Sequence, residues 1–485
     1  MPGLLARVFC LVALFMLAGC QTLLNETYPP GAGSTPGTLQ NDDDPRARLG
    51  ASEHPRILAN YGGEYNDPKV ERQLARIVGA LTLVSENPKQ SYRITILDSP
   101  AVNAFALPGG YLYVTRGLLA LADDSSEVAA VIAHEMAHVT ANHGLLRKRA
   151  EEAEQIANRV ATEVLSGEMT GEQVEARGKL RLAAFSRQQE LEADVIGVRM
   201  LGEAGFDPYA AARFLETMDA YSRYQNNVED LDPSLDFLSS HPDAPKRREL
   251  AYRHARAFGQ PGVGTRDQDK YLRAIDGLLY GDSPKQGYVR GNTFLHPVLG
   301  IRFSVPQGFQ IDNTAEAVLA TGPGDIAIRF DGVSDKNRTP LTRYITSGWV
   351  SGLDPSSVRP LRINGLEAAS AKAVADTWEF DVTVIRVGNR IYRLLTAAPV
   401  GSSNLDAAAR IVTSSFSKMS SSEIASLHPL RIRIATVRPG DTIASLAERN
   451  QGTRRKLELF QLLNSLSSGE TVSVGEKVKL VTDQR

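Results

Sequence analysis

Two histidines and one glutamate within five residues are the part of this sequence best suited to metal chemistry. His134 and His138 are four positions apart, so on a helix they project from one face and both imidazoles can bind one ion. Zinc accepts imidazole nitrogen and keeps an open position when it is catalytic. Glu135 can take a proton from metal-bound water, because the ion lowers the pKa of that water towards ~7. The spacing predicts a hydrolytic zinc site in which Glu135 is the general base.

The alternative for this run is a helix that carries two histidines and a glutamate by chance. Its flanks, Val131-Ile132-Ala133 and Val139, are apolar, which indicates a buried helix. Polar groups in a buried helix need partners, and a metal ion satisfies them. The apolar flanks therefore favour the metal site.

A third ligand is available on a second helical zone downstream, over about 151–202. Glu190 and Asp194 are four apart and share a helix face, whereas Glu192 points elsewhere. Glu190 can complete a set of two histidines and one glutamate, and Asp194 can fix the tautomer of a ligand histidine by a hydrogen bond. The alternative is a solvated acidic helix face on which Arg187 forms an i,i+3 ion pair. If the metal site is present, Arg187 is at best a neighbour of the ligands.

Two further histidines have open roles. His241 stands in a proline-flanked loop, Ser240-His241-Pro242. It could reach the open zinc position and hold the enzyme shut, bind the substrate oxyanion, or be a plain surface or capping residue. His143 follows the zinc helix and is expected to end it.

The pattern of apolar residues predicts the elements that must position these side chains. A helix follows Asp67, strands follow at 92–97, 103–107 and 111–114, and the helix that starts at Ser125 or Ser126 carries the zinc motif. The strand at 103–107 could pair with an extended substrate by β-augmentation.

Composition and the N-terminus limit the class of protein. The 485 residues exceed one hydrophobic core, and the net charge of −2 argues against nucleic acid as a partner. Residues 1–20 have the pattern of a signal peptide that ends in Leu-Ala-Gly-Cys, which resembles a bacterial lipobox with Cys20 as the lipidated residue; the alternative is an ordinary signal peptide that happens to end in Cys. In the Gram-negative lipoproteins that this pattern resembles, Asp after the cysteine tends to retain the protein at the inner membrane. The resemblance therefore implies, with Gln21 at that position, the periplasmic face of the outer membrane, with the lipid anchor as the protein's contact with the membrane. The other cysteine, Cys10, is lost with the signal, which excludes a disulfide or a thiol catalyst.

Shifts in composition divide the rest of the chain. Beyond Gly287 strands alternate with Gly and Pro turns, which indicates an α+β domain, and it shows no catalytic constellation. The expected parts are a flexible tether at 21–65, the domain with the zinc motif at 66–280, the α+β domain at 287–417 and a small final module at 431–482.

The motifs together resemble a known family. His134-Glu135-x-x-His138, Ser186-Arg187-x-x-Glu190-x-Glu192-Ala193-Asp194 and Asn103 to Gly110 are similar to the zinc metallopeptidases of the CAAX prenyl endopeptidase and HtpX family, in its periplasmic BepA-like branch. The resemblance covers about 65–260. It implies a gluzincin-type fold, mainly α with a small β-sheet, and one Zn²⁺ per subunit on His134, His138 and Glu190. The BepA-like proteins continue into helical repeats, whereas different domains follow here.

The final module resembles a LysM module, a small βααβ fold that often binds peptidoglycan. Ala435 to Ala447 and Leu459 to Asn464 carry the likeness, followed by Val474 to Leu480. The alternative is a βααβ scaffold without a ligand.

Three functions compete at this stage. The first is a periplasmic, lipid-anchored zinc endopeptidase that hydrolyses peptide bonds of envelope proteins in quality control. The second is a non-proteolytic chaperone or scaffold of the same fold, which would have no need of Glu135. The third is a peptidoglycan-associated hydrolase, suggested by the final module.

Overall fold

The computed structural model describes residues 45–164, 171–226, 241, 244–453, 455–467 and 469–484. These residues form two compact units, one of 45–281 together with 430–484 and one of 282–429. The expected signal peptide with Cys20, residues 21–44 of the expected tether and most of the loop around His241 lie outside the described residues. Across the described part of the chain, no helix has the length and apolarity that a membrane span requires.

The first unit begins with two helices and a three-stranded sheet. Its opening elements are α1 (Pro45–Asn60), α2 (Pro68–Val84), β1 (Arg93–Leu97), β2 (Ala104–Leu107) and β3 (Tyr111–Thr115). Asp67 caps α2, because its carboxylate accepts hydrogen bonds from the first backbone N–H groups of the helix. β3 lies in the middle of the sheet, parallel to β1 and antiparallel to β2, so β2 is an edge strand. The predicted helix and strands are present.

The first helix corrects the expected tether, which was placed at 21–65. Pro45 occupies the first turn of α1, where proline is tolerated because the backbone N–H that it lacks would have no partner within the helix. Ile57 and Leu58 pack against the cluster of Tyr111 and Tyr113 on β3. The Gly- and Pro-rich composition hid this helix, because its three large apolar residues, Leu49, Ile57 and Leu58, give no clear helical period, and the partners of Ile57 and Leu58 lie about fifty residues downstream.

Seven further α-helices of this unit lie within the described residues up to Gly281. They are α3 (Arg116–Leu121), α4 (Ser125–Thr140), α5 (His143–Val164), α6 (Gly171–Glu203), α7 (Ala210–Asn226), α8 (Ala244–Ala255) and α9 (Gln268–Ile275). Asp124 caps α4, and every residue from Ser125 to Ala137 is buried. Gly197 of α6 lies against α4 so closely that an added Cβ would be 3.3 Å from the backbone nitrogen of His134. The two helices that carry the predicted ligands are therefore in direct contact.

The second unit is an antiparallel α+β domain, as expected. Its elements are β4 (Tyr288–Arg290), β5 (Thr293–His296), β6 (Ile301–Ser304), β7 (Gln310–Asn313), β8 (Val318–Gly322), β9 (Ile326–Ser334), α10 (Leu341–Ile345), β10 (Arg359–Ile363), β11 (Leu366–Ala375), β12 (Trp378–Val387), β13 (Arg390–Pro399), α11 (Leu405–Ser415), β14 (Ser417–Lys418) and α12 (Ser421–Ser426). Seven strands form one sheet in the order β10-β11-β12-β13-β9-β8-β7, and β14-β6-β5-β4 form another.

The chain then returns to the first unit. Its last elements are β15 (Arg431–Thr436), α13 (Ile443–Ala447), α14 (Lys456–Leu463) and β16 (Lys477–Thr482), in the predicted order of strand, two helices and strand. β15 and β16 pair antiparallel. The sequence predicts a separate module here, whereas in the structure this stretch shares one compact unit with α1 to α9.

Candidate metal centre

The two motif histidines lie one turn apart on α4 and converge on a carboxylate from α6. The Nε2 atoms of His134 and His138 are 3.0 Å apart. Glu190 places Oε2 at 3.3 Å from His134 Nε2 and Oε1 at 3.5 Å from His138 Nε2. The structure therefore brings together the three side chains that the sequence predicts as ligands.

His241 adds a fourth nitrogen to this cluster. Its Nδ1 is 2.9 Å from Glu190 Oε2 and 3.2 Å from His134 Nε2. One ligand atom from each of the four residues lies within 4.8 Å of the other three, so the cluster could hold one metal ion. Three imidazoles and one carboxylate are a donor set that suits zinc.

Glu135 lies beside the cluster without being part of it. Its carboxylate is buried, and its Oε1 is 3.4 Å from His241 Nε2. Within the described part of the chain this oxygen makes no hydrogen bond. A buried carboxylate oxygen without a donor is costly unless water or a nearby cation satisfies it. The residues present therefore fit a bound metal ion with a water molecule next to Glu135.

Asp194 and Arg247 support the first of the two histidines. Asp194 Oδ1 is 2.9 Å from His134 Nδ1, which leaves the Nε2 of that ring facing the cluster. Arg247, on α8, donates to both oxygens of Asp194, from Nε at 2.7 Å and from Nη2 at 2.8 Å. Its Nη1 donates to the carbonyl oxygen of His241 at 2.9 Å and lies 3.2 Å from Glu190 Oε2. One buried guanidinium thus contacts three residues of the centre.

Arg247 is a residue of this centre that the sequence motifs do not predict. The signal that could have found it is its spacing from Ala251 and Ala255, which puts a charged residue on the buried face of α8. Arg187, which the sequence offered as a neighbour of the ligands, is exposed.

His143 supports the second ligand histidine. It does not simply end the zinc helix as expected: α4 ends before Asn142, whose φ of 55° is left-handed, and His143 begins α5. Its Nδ1 is 2.8 Å from His138 Nδ1, and its Nε2 is 3.5 Å from Glu192 Oε2. Glu192 does point away from Glu190, as predicted, and it contacts His143 behind the ligand histidine.

The ionisation of the cluster follows from burial and hydrogen bonding. Burial alone would lower the pKa of His134, but hydrogen bonds with Asp194 and Glu190 raise it to about 9. Burial lowers the pKa of His138, and the charge on His134 lowers it further. Burial opposes ionisation of Glu190, yet hydrogen bonds with His134 and His241 hold its pKa below the ordinary value. Without a metal, protons occupy the centre, so an ion that binds must displace them.

Burial also raises the pKa of Glu135, and the neighbouring His241 and His134 oppose this rise. A carboxylate with a raised pKa is a stronger base when it is ionised. That property suits the role of accepting a proton from water.

Comparison with known proteins agrees with this geometry. Residues 67–253 match the family model of Peptidase family M48. The chain is 29% identical over 212 residues to the mitochondrial metalloendopeptidase OMA1 of Schizosaccharomyces pombe, covering 41% of this chain and 58% of the relative. It is 27% identical over 218 residues to the beta-barrel assembly-enhancing protease of Escherichia coli, covering 43% of each.

A plant relative is similar over a shorter stretch. The OMA1 of Arabidopsis thaliana is 34% identical over 165 residues, covering 33% of this chain and 31% of the relative. In these comparisons the chain spans about a third to somewhat over half of each relative's length. The matched segment contains His134, His138, Glu190 and His241, and the chain therefore carries a Peptidase family M48 domain over residues 67–253.

Proposed function

We propose that this chain is a zinc metalloendopeptidase that binds the metal through His134, His138 and Glu190. The observation that carries the proposal is the convergence of these ligand atoms within 4.8 Å, on two helices in direct contact, inside a Peptidase M48 domain. Asp194 and His143 hold the ligand rings in orientation, because each contacts the Nδ1 atom of a ligand histidine on the side away from the cluster, and Arg247 in turn holds Asp194.

The proposed reaction is hydrolysis of a peptide bond without a covalent intermediate. A zinc ion bound here would polarise the scissile carbonyl and lower the pKa of a bound water. Glu135 accepts the proton of the attacking water and returns it to the leaving amine. Its burial beside the cluster keeps bulk water from competing for that proton.

The decisive experiment compares casein digestion by the wild type and by Glu135→Gln, each with and without a chelator. Glu135→Gln should bind zinc as the wild type does and lose about 10²–10⁴-fold in kcat, since a positioned general base contributes about that much. Glu249→Gln, an exposed change on α8, is the matched control. Wild-type digestion that a chelator leaves intact would refute the proposal. Digestion by Glu135→Gln at the control's rate would refute the role of this base.

His241 occupies the place of a fourth ligand in this conformation. Its Nδ1 lies among the ligand atoms, which favours the hypothesis that it closes the open position over a role in binding the oxyanion. His241→Ala should then raise the rate of proteolysis at constant zinc content. A fall in that rate would indicate the oxyanion role instead.

The edge strand β2 is the proposed docking site for extended substrate. It lies beside α4 and pairs on one side with β3. The free edge can accept a peptide by β-augmentation. The N–H of Ala106 faces this edge, because Phe105 and Leu107 are the residues of β2 that pair through hydrogen bonds with β3. Ala106→Pro removes that backbone donor and should raise KM, and unchanged kinetics would remove the idea.

The setting of the enzyme is a further part of the proposal. A lipid anchor on Cys20, at the periplasmic face of the outer membrane, agrees with the lipobox-like sequence, and a similar protein is named a beta-barrel assembly-enhancing protease. Envelope proteins are then the proposed substrates, in quality control. Cys20→Ser should release the protein from membranes, and its retention in the membrane fraction would contradict the anchor.

Peptidoglycan is a proposed partner of residues 431–482. The loops at 438–440 and 473–476 are exposed, and they offer the surface that such a LysM-like module would need. Isolated peptidoglycan should pull down the full chain, and point changes in these loops should abolish the capture. Capture that these changes leave intact would place glycan binding elsewhere.

A further inference from the structure

A buried lysine of the C-terminal module contacts the segment that precedes the zinc helix. Lys479, on β16, is 1% exposed. Its Nζ donates to three consecutive carbonyl oxygens at the end of α3, at 3.2 Å (Ala120), 2.9 Å (Leu121) and 2.9 Å (Ala122). The same ammonium lies 2.8 Å from Asp123 Oδ1. Because the last carbonyls of a helix have no partner inside the helix, Lys479 serves as the cap that α3 lacks.

The segment that Lys479 holds is also the start of α4. The backbone N–H of Asp123 donates to Glu127 Oε2 at 2.8 Å, and Asp124 caps the helix by accepting from the N–H groups of Ser126 and Glu127. The residues from the end of α3 to the first turn of α4 therefore form one hydrogen-bonded junction, Ala120 to Glu127. Lys479, which lies near the far end of the chain, contacts this junction.

Apolar packing shows that the module is part of the same core. Ile432, Leu459, Leu463 and Val481 are buried in the cluster that includes Val128 and Ile132 of α4. Burial of these aliphatic side chains stabilises the docked module, because it removes apolar surface from water. An undocked module would expose this apolar surface on both sides.

Backbone hydrogen bonds continue the same contact. Gly277 N donates to Ile432 O at 2.9 Å, and Ile432 N donates to Leu278 O at 2.8 Å. Inside the module, Asn464 fixes the strand that carries the lysine, because it accepts from the backbone N–H of Lys479 and donates to its carbonyl oxygen. Asn464 thus holds the backbone of Lys479, while the end of α3 and Asp123 hold its ammonium.

We infer that residues 430–484 are a constitutive part of the peptidase, and that Lys479 is a positioning residue that fixes the start of the helix carrying His134 and His138. A buried ammonium and carboxylate are each costly without their partner, so the module does not leave and return in the folded state. The distance from the first residue of α4 to His134 is ~14 Å along a continuous helix, which transmits a shift of its start. The zinc readout of this inference rests on the proposed function.

The experiment compares two basic residues of the module in the full chain. Lys479→Met removes the contact with the junction. Arg455→Met removes a similar contact elsewhere, since Arg455 Nη1 donates to the carbonyl oxygen of Tyr224 on α7 at 2.7 Å and its guanidinium lies 4.3 Å from the centre of that ring. Two quantities are measured for each variant: the zinc dissociation constant by chelator competition, and amide hydrogen exchange along α4.

Lys479→Met should raise the zinc dissociation constant about tenfold and speed exchange in the first turns of α4, whereas Arg455→Met should change either quantity less than about twofold. Equal effects of the two variants, or no effect of Lys479→Met, would overturn the inference. If Lys479→Met does not fold, Asp123→Asn gives the same test more mildly and must shift both quantities in the same direction. If the wild type binds no zinc, the proposed function fails, while hydrogen exchange still tests the position of Lys479.

Discussion

The zinc helix α4 carries a buried polar cluster at each end, and the two clusters balance their charges differently. At its start, Asp124 accepts from Arg266 Nε at 2.6 Å and lies 3.4 Å from Arg213 Nη2, while Asp123 pairs with Lys479. At its other end, three imidazole rings and the carboxylates of Glu135 and Glu190 converge, and the ligand atoms lie close enough for one ion.

The difference separates a structural cluster from a chemical one. Carboxylates that are in hydrogen-bond contact with cationic side chains of the same chain need no added ion. The charges at the start of α4 are therefore balanced within the chain, and we call this the complete end. Imidazoles whose nitrogens lie about 3 Å apart around a carboxylate must carry protons or share a metal ion. The other end of α4 therefore depends on bound protons or a metal ion, and we call it the incomplete end. Burial alone does not mark a site. What marks the metal centre is a set of ligand atoms that needs protons or a metal ion.

The largest effect is expected at the complete end. Asp124→Ala should lower the free energy of unfolding by about 3–5 kcal/mol, because Arg213 and Arg266 lose a buried partner and α4 loses its cap. Urea unfolding of the full chain measures the change. Asp219→Ala, which breaks an exposed i,i+4 pair with Arg223, is the control and should cost less than about 1 kcal/mol. Equal losses in the two variants would mean that the start of α4 is not held by its ion pairs.

The next effect is expected at the incomplete end and concerns the metal. Arg247→Met removes the guanidinium that holds Asp194 behind His134, and zinc affinity should fall about 10–100-fold, as is usual when the support of a ligand is removed. Arg248→Met is the matched control, since that neighbouring side chain is 40% exposed. Chelator competition measures both. Unchanged affinity in Arg247→Met would show that His134 keeps its orientation without this support.

The local part of the centre could be predicted from the sequence. His134, His138 and Glu135 lie within one turn of one helix, and Glu190 and Asp194 within one turn of another, so helical spacing alone places each set on a face. The helix and strand pattern was predicted for the same reason, from periods of 3.6 and 2.

The long-range part could not be predicted. Arg247 contacts Asp194 from 53 residues away, and Lys479 contacts Ala122 from more than 350 residues away. Helical spacing can indicate that Arg247 is buried, but no local period shows which residue either side chain contacts. The sequence predicts a separate module at 431–482, because the Ser-rich stretch at 417–430 before it has the composition of a linker. Chain order is a weak guide to contacts when a whole domain lies between two parts of one core.

The third prediction concerns pH and the complete end. Burial, together with the charges of the neighbouring Asp123 and Asp124, raises the pKa of Glu127 to about 8, although the hydrogen bond from the Asp123 backbone and the charge of Arg213 oppose this rise. The unfolded chain ionises this group near 4.5, so the folded state holds a proton that the unfolded state has lost. The stability that Glu127 contributes is therefore complete below that pH and is lost as the pH rises through about 8. Glu127→Gln should flatten the fall in unfolding free energy between pH 5 and 8, whereas an unchanged slope would assign it to other groups.

The smallest effect is expected from the largest change. Residues 282–429 form a compact unit of their own, whereas both ends of α4 are built from 45–281 and 430–484. The flanks of the inserted unit are already joined, because Tyr280 N donates to Leu430 O at 2.9 Å and Leu279 forms an antiparallel bridge with Arg431. A short glycine linker from Gly281 to Leu430 can therefore replace the whole unit without moving either flank.

This deletion should leave zinc affinity, hydrogen exchange along α4 and casein hydrolysis within about twofold of the wild type, since a domain inserted at adjacent chain ends can be removed without strain. Retention of all three would show that the two ends of α4 depend on the first unit alone. A loss of zinc affinity would assign part of the metal centre's support to the α+β domain. A loss of hydrolysis alone would assign that domain to the binding of substrate.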